Sequence, residues 1–570
     1  MTESLEKRNI KLIRSVFRKI LLPALAAGAS ANIASMIDGI VVGNAIGSTA
    51  LAAVNSCRPA SQIYAFLSEI IASGIVNCIA HSAGKSDRGK TDRIFTTGLM
   101  AVLLLAAILI SLQIAFAGSI CKIFANDENL YPLALQYFRI FSFGVFFILI
   151  NDLMAAAMRT DGLPALSGLV LLVPHIVNAV LNVIFVSVFH MGLSGVAFAT
   201  VLGYLSGFLI GCYYFFFKKT YRLQYGGFGK NLAGIASVGM PPALNKGLIS
   251  IKLLIINSLA LSAGGAPAMA IMSLIMVEWA LASLFIGGVK QTMMPMISFY
   301  YANDDYHGVR TVFKHAFRVL MTATAILMLL FEIIPQILPM LFGMRDAEMI
   351  ANASTAIRIF ALSMPFEAFT MLTITYYTSI RNKKPAIMLS ILQGLVVTVP
   401  VIYPLVHFFG VIGVWLSYPV ANLISIAVIL YLCRGNIERY FRMKGQTYLA
   451  EFSVDMTKIS DTVASVIRAV HDAGFDSTVA NRTGVAIEEM AVSAFERNVG
   501  KKLNVDVTVR KAEDTLLVTF SDDGMEFNPL QDAEQNTEEQ MSNLAMLKAV
   551  SHKIEYGRVV GMNKTDIVLK

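Results

Sequence analysis

Stretches of about twenty predominantly apolar residues recur along the first three quarters of this chain, and nothing else restricts its fold as strongly. Each is long enough to cross a hydrocarbon layer of about 30 Å as a helix. Away from water every backbone N–H and C=O needs an internal partner, so such runs are read as helices. They fall near 16–40, 50–82, 94–118, 132–157, 164–189, 193–217, 232–262, 267–300, 311–342, 352–379, 385–408 and 411–433. The composition agrees. Charged residues make up 15% of the chain, against roughly 25% in an average soluble protein. The expected fold is an all-α polytopic membrane protein with twelve transmembrane helices.

The net charge of +8 invites a nucleic-acid reading, which the placement of the charges argues against. Lysine and arginine sit in links between runs and do not gather on one face. Lys7, Arg8, Lys11, Arg14, Arg18 and Lys19 precede or open the first run. Lys85, Arg88, Lys90 and Arg93 follow the second, Arg159 the fourth, and Lys218, Lys219, Arg222 and Lys230 the sixth. Further groups follow the eighth and tenth, whereas the alternate links are short or acidic. By the positive-inside rule both termini are expected in the cytoplasm of a cell-membrane protein. The N-terminal "MTESLEKRNIKLIRSVFRK" leads straight into a long run and is expected to be a retained anchor, not a cleaved signal. Cys57, Cys78, Cys121, Cys212 and Cys433 are scattered, without metal-ligand spacing.

The chain repeats itself. "LLPALAAG" in the first run resembles "MPPALNKG" in the seventh, which sets Pro23 against Pro242. "YFRIFSF" and "AIRIFAL" set Arg139 against Arg358, and Pro164 stands against Pro385. The nearly constant offset implies two six-helix lobes in parallel orientation, residues 10–220 and 230–435. Transporters built from such repeats bind substrate between the halves and open alternately to each side. Beyond Arg434 the chain turns polar, and residues 445–570 are expected to form a cytoplasmic α/β two-layer sandwich reading helix, helix, hairpin, helix, hairpin.

Asp38 lies within "ANIASMIDGIVVGNAIG", an otherwise almost wholly apolar stretch. A charge at mid-bilayer costs at least about 2.5–3.5 kcal/mol, so it ordinarily faces a cavity and has a task. Asn178 and Asn182 are four apart in the fifth run, hence on one helix face. Thr200 and Asn151 lie in the sixth and fourth runs. A carboxylate with amide and hydroxyl oxygens suits a hard cation such as Na⁺, and a desolvated carboxyl could carry H⁺ instead. The repeat places the neutral Asn257 opposite Asp38 in the second half. Asparagines in membrane helices also serve simply as interhelical hydrogen-bond partners.

"IDGIVVGNAIGSTALAAVN", "GLSGVAFAT" and "GGVKQTMMPMISFYYAN" resemble signatures of the multidrug and toxin extrusion (MATE) transporters, with likeness over roughly residues 10–435. The resemblance implies a secondary transporter, not an enzyme: an antiporter that exports amphipathic, cationic compounds as Na⁺ or H⁺ enters. Carried over by position, the family's cation site falls on Asp38, Asn178, Asn182, Thr200 and Tyr137. Asn182 stands where a second acid is expected, and one fewer negative charge should weaken Na⁺ binding, which makes H⁺ coupling a rival. Other members carry a glutamate in the seventh run, where this chain is apolar near Ile249. Lys246, Lys252, Glu278 and Glu367 are candidates for the cavity of the second half, or for structural Lys–Glu pairing. His175 is read as a core histidine.

"VAIEEMAVSAFERN" and "FSDDGMEFNPL" resemble the histidine-kinase-like ATPase fold, nearest to anti-sigma-factor serine kinases. Glu489 would match the catalytic glutamate, and Asp522 and Gly524 the adenine-binding pair. Ser493 replaces the asparagine that holds Mg²⁺, Glu526 replaces a glycine, and "EEQMSNLAML" at 539–548 lacks lid glycines that would let backbone amides approach phosphate. The module is therefore expected to regulate or to bind a cytoplasmic protein and not to use Mg-ATP. No other cofactor, metal or nucleic acid is implied, and a monomer in lipid is expected. Two rivals remain: a membrane receptor with a kinase-like output, and a lipid-linked saccharide flippase of the same superfamily.

Overall fold

The computed structural model describes residues 11–46, 50, 53–54, 57–85, 87–124, 130–218, 221–342, 344–441, 448–454, 456–512, 515–529 and 541–570. Side chains at 31–40, 43–45, 58–61, 123, 124, 130, 218, 250, 266, 432–441, 448–450, 512 and 541–545 lie outside that description.

The first half contains α1 (Lys11–Ala45), α2 (Arg58–Gly84), α3 (Arg88–Phe124), α4 (Leu130–Phe141), α5 (Gly144–Thr160), α6 (Pro164–Val183) and α7 (Gly192–Lys218). The second contains α8 (Phe228–Ala302), α9 (Tyr306–Ile333), the short α10 (Ile337–Leu341), α11 (Ala347–Ala361), α12 (Met364–Ser379), α13 (Lys383–Ile391), α14 (Thr398–Phe409) and α15 (Val411–Phe441). Among the described residues ten helices are long and apolar enough to cross a membrane. They become eleven when Tyr131–Phe141 and Gly144–Thr160, bent by 45°, count as one span. α1 stands outside that count. α8 is broken at Gly265, whose φ of 62° and ψ of −152° suit only glycine, and divides into Phe228–Gly265 and Pro267–Ala302.

Small residues set the helix crossings, as expected where lipid offers no hydrophobic drive between helices. Gly203 and Gly207, four apart on α7, face α6. A Cβ on either would lie 2.6 Å from the carbonyl oxygen of Pro174 or Val170. Gly74 on α2 and Gly239 on α8 meet the backbones of Ile235 and Ile70, so the two halves touch main chain to main chain. Gly168 on α6 packs on Pro23 of α1. The start of α1 crosses to the other half, where Leu12, Ile13, Phe17 and Ile20 join a core with Ile286, Val289 and Met293.

The C-terminal segment holds a five-stranded antiparallel sheet in the order β1-β2-β3-β5-β4: β1 (Tyr448–Val454), β2 (Val505–Ala512), β3 (Thr515–Asp522), β4 (Lys553–Val559) and β5 (Met562–Leu569). α16 (Ile459–Asp472) and α17 (Ser477–Arg497) precede the β2–β3 hairpin, and α18 (Met541–Val550) precedes β4. Val463, Val466, Ile467 and Val470 form a stripe on α16 at helical spacing. They share a core with Ile487 and Met490 of α17 and with Val507, Val509 and Val518 of the sheet. β1 is an edge strand that the sequence reading did not contain.

Candidate transport cavity and ion site

A cavity of about 510 Å³ lies between the halves. Its charged lining comes from α2 (Glu69), α5 (Asp152, Arg159) and α8 (Lys246, Lys290). Trp279, Met294 and Met371 add apolar wall. Lys290 Nζ lies 2.7 Å from Glu69 Oε1, and Lys246 Nζ 3.9 Å from Oε2, so one carboxylate of the first half holds two ammonium groups of the second. Ser68 donates to Asp152, and Arg159 donates to Ser167 at 3.2 Å. Arg159 was expected in a basic link. It is the penultimate residue of α5, and its long side chain reaches back into the cavity.

The lining ends at Val76 and Met294, which pack with Ala156. Below them the halves are joined by polar bonds. Asn77 Nδ2 donates to the carbonyls of Thr378 and Ser379 at 2.9 and 3.1 Å, and Arg381 reaches Cys78 Sγ at 3.3 Å. At the last turn of α2, a Cβ on Gly84 would lie 2.8 Å from Cβ of Ala302. The halves are thus closed at the end where the links richest in lysine and arginine lie.

Of the first-half candidates, Asp38 has its backbone in α1 but its side chain lies outside the described residues. α1 packs along α6, which carries Asn178 and Asn182. Asn178 Nδ2 donates to Thr200 Oγ1 at 3.1 Å, held close because Gly203 admits the Asn178 Cβ. Asn182 lies on the same face and is fully buried. Asn151 donates to the Tyr204 carbonyl at 2.8 Å, tying α5 to α7. Tyr137 on α4 is buried and stacks on Phe141. His175 faces Tyr204, ring edge to ring face.

In the second half only Lys246 of the candidates lines the cavity. Glu278 is completely buried, and neither carboxylate oxygen has a hydrogen-bond partner among the described residues. Glu367 accepts from Trp279 Nε1 at 3.3 Å. Asn257 has a buried amide oxygen, and Lys252 lies five residues before it on α8. None of these four lines the cavity: Lys252, Asn257 and Glu278 lie on α8 and Glu367 on α12. Glu69, Asp152 and Lys290 were missed, although each is a lone charge in an apolar run like Asp38.

In the C-terminal segment Asp522 Oδ1 accepts from Gly524 N and Asn563 Nδ2, both at 2.9 Å. Burial pushes its carboxyl up despite these bonds. Arg497 donates to Ser493. Glu489 is half-buried, and burial with Glu488 nearby raises it. Of the stretch 539–548, residues 539 and 540 and the side chains of 541–545 lie outside the described residues, and 541–548 are helical.

Two helical halves in tandem around a charged cavity define a membrane transporter. A model of the MatE family matches the chain twice, over residues 23–184 and 241–403, and the chain belongs to that family. Its members are multidrug efflux transporters of the cell membrane, ion-coupled secondary transporters that are not enzymes and need no cofactor. The chain is 22% identical over 394 residues to the multidrug export protein MepA of Staphylococcus saprophyticus, covering 68% of this chain and 86% of that one. It is 24% identical to a probable multidrug resistance protein, YoeA, of Bacillus subtilis, over 44% of this chain and 56% of that one. Among solved structures, an outward-facing MATE transporter of the MOP superfamily superposes with a TM-score of 0.69 at 22% identity, over 75% of this chain and 96% of that one. A Pyrococcus furiosus transporter described as having a binding pocket of reversed polarity gives 0.68, also at 22% identity and the same coverage.

Proposed function

We propose that this protein exports amphipathic compounds from the cell by alternating access, as H⁺ or Na⁺ moves inward. The observation that carries this reading is the cavity between the halves, whose ion pair Glu69–Lys290 joins one half to the other. A volume of about 510 Å³ falls in the range of drug-sized sites, roughly 300–1,000 Å³. The cationic group expected of the substrate would pair with Asp152. Three cations against two carboxylates also favour an acid group on the same molecule, so amphoteric compounds fit better than purely cationic ones.

Coupling is assigned to Asp38 with Asn178, Asn182, Thr200, Tyr137 and Asn151, and the amide at 182 favours H⁺ over Na⁺. An ion shifts the inward–outward balance only through its different affinity for the two states. The reading includes twelve spans in two six-helix lobes, with both termini cytoplasmic. The C-terminal segment is read as a degenerate histidine-kinase-like module that regulates transport or binds a cytoplasmic protein. The Arg497 guanidinium beside Ser493 supports the absence of Mg-ATP, since a cation already occupies that corner.

Efflux of rhodamine 110, which carries a free acid, and of its methyl ester rhodamine 123 from proteoliposomes tests the reading. The acid is expected to be exported faster, and Lys246→Met to slow the acid more than the ester. Export of neither dye, nor of other amphipathic drugs, would overturn the export reading. Faster ester export, indifferent to Lys246→Met, would overturn the amphoteric preference alone.

A further inference from the structure

The closed end of the two halves is crossed by the C-terminal module. Lys564 on β5, only 2% exposed, donates from Nζ to the Gly84 carbonyl at 2.9 Å and also to the Asn303 side chain. Gly84 ends α2 of the first half, and Asn303 follows α8 of the second. One ammonium group therefore bridges the seam. Arg510 on β2 donates to the Asn303 carbonyl, and His307 on α9 lies 3.4 Å from Glu451 on β1.

The tip of the β4–β5 hairpin makes the second crossing. Val560 N donates to the Thr160 carbonyl at 2.8 Å, at the end of α5. On the other side, Val559, Val560 and Met562 join the core of the second half, and Tyr300 points its hydroxyl at Met562 Sδ, 3.7 Å away. Val560 has φ +57° and Gly561 φ +79°, the double positive φ of a two-residue hairpin. Valine is a poor residue for that position, and a hairpin tip is ordinarily in water. Here it is 1% exposed. A strained, apolar tip makes sense when its side chain is needed against another surface. A third tether joins Asp523 to α1: Ser15 Oγ donates to its carboxylate at 2.6 Å, and Lys19 lies 3.4 Å away.

We infer that the C-terminal module is a built-in clamp that holds the two halves together at this end, and that transport requires it to lift. Opening toward the module's side has to part Gly84 from Ala302, and Lys564 and Val560 cannot stay bonded across that gap. The clamp limits the cycle whatever compound is carried. It rests on the alternating-access reading above only for its effect on transport, not for its effect on the seam.

Cys78 reports the seam directly, because it is 3% exposed and faces Arg381 of the other half. The test is the rate of maleimide labelling of Cys78 in the full-length protein, followed by peptide mass spectrometry, in wild type, Lys564→Met and Val560→Asp. Both variants are expected to label at least fivefold faster, and export to speed up several-fold at saturating substrate. Labelling unchanged in both variants would overturn the clamp even if export were never observed. Faster labelling with slower export would overturn it as a brake, leaving the module as a part needed for turnover. Both variants lie on the β4–β5 hairpin, so Ser15→Ala, which weakens the separate tether on α1 and leaves the module's strands unaltered, is labelled alongside them and is expected to label faster as well. Labelling unchanged in Ser15→Ala while both hairpin variants label faster would mean damage to the hairpin and would overturn the clamp.

Discussion

Glu69 and Lys290 are 221 positions apart in the chain, lie on helices of opposite halves, and meet at 2.7 Å in the wall of the cavity. Both are partly open to the cavity, so water screens the pair and its net worth is small, about 1 kcal/mol or less. Its importance lies in where it acts, since it can favour one arrangement of the halves over the other. Glu69→Gln is expected to slow export roughly tenfold, the equivalent of about 1.4 kcal/mol. Glu69→Gln with Lys290→Met should recover part of that loss, because no lone ammonium is left behind. Initial efflux rates from proteoliposomes check both.

Gly239 and Gly234 sit on the same helix with opposite surroundings. A Cβ on Gly239 would run into the backbone of Ile70 across the seam, whereas a Cβ on Gly234 meets nothing within 4 Å. Gly239→Ala is expected to destabilise by about 1–3 kcal/mol through overpacking against main chain that cannot swing aside. Gly234→Ala should be neutral or stabilising by about 0.5–1 kcal/mol, through helix propensity. Thermal unfolding in detergent separates the two, with Tm lowered in the first and unchanged or raised in the second.

Asn182 is fully buried on the helix face that also holds Asn178. Asn182→Asp restores a second carboxyl where relatives are expected to have one. It should lower the Na⁺ concentration for half-maximal drive by roughly tenfold, which is about 1.4 kcal/mol of added ion affinity. Sodium titration of efflux at fixed pH measures it. No change, with Asp38 still required, would place the ion elsewhere in the half.

The apolar runs made the helical membrane class readable, because twenty residues without water leave the backbone few choices. The offset between Pro23 and Pro242 implied tandem halves, and the family model matches the chain twice, over 23–184 and 241–403, at nearly that offset. The cavity charges were less legible. Glu69 in "FLSEIIASG" and Lys290 in "GGVKQTMM" carry the same lone-charge signal as Asp38. Their pairing depends on how α2 crosses α8, which two glycines set and periodicity does not reveal. Glu278 gave that signal too, yet it faces the core of its own half. β1 was missed because "TYLAEFSV" follows a polar tail and is a strand only beside β2. The bridge made by Lys564 joins residues 480 apart, and no local pattern announces it.

Asp523 ties the module to α1 through an ionised carboxylate. Burial alone would raise its pKa, but hydrogen bonds from Ser15 and Asn504 and the charge of Lys19 outweigh it and hold it below the ordinary 3.8. A depressed folded pKa gives stability that is complete above the unfolded value and is lost as pH falls through the folded one. Ser15→Ala should therefore lower Tm at pH 7, and the gap from wild type should narrow below about pH 4. Paired melting curves across that range check the sign. A gap that widens in acid would mean that Asp523 is docked in its neutral form.

Gradient-driven efflux in proteoliposomes, wild type against Asp38→Asn, tests the central claim most directly. An inward gradient of H⁺, and to a lesser degree of Na⁺, is expected to accelerate wild-type export at least tenfold over the gradient-free rate, and Asp38→Asn to abolish that acceleration. Full-speed, gradient-responsive export by Asp38→Asn would contradict the assignment, as would wild-type export that ignores both gradients.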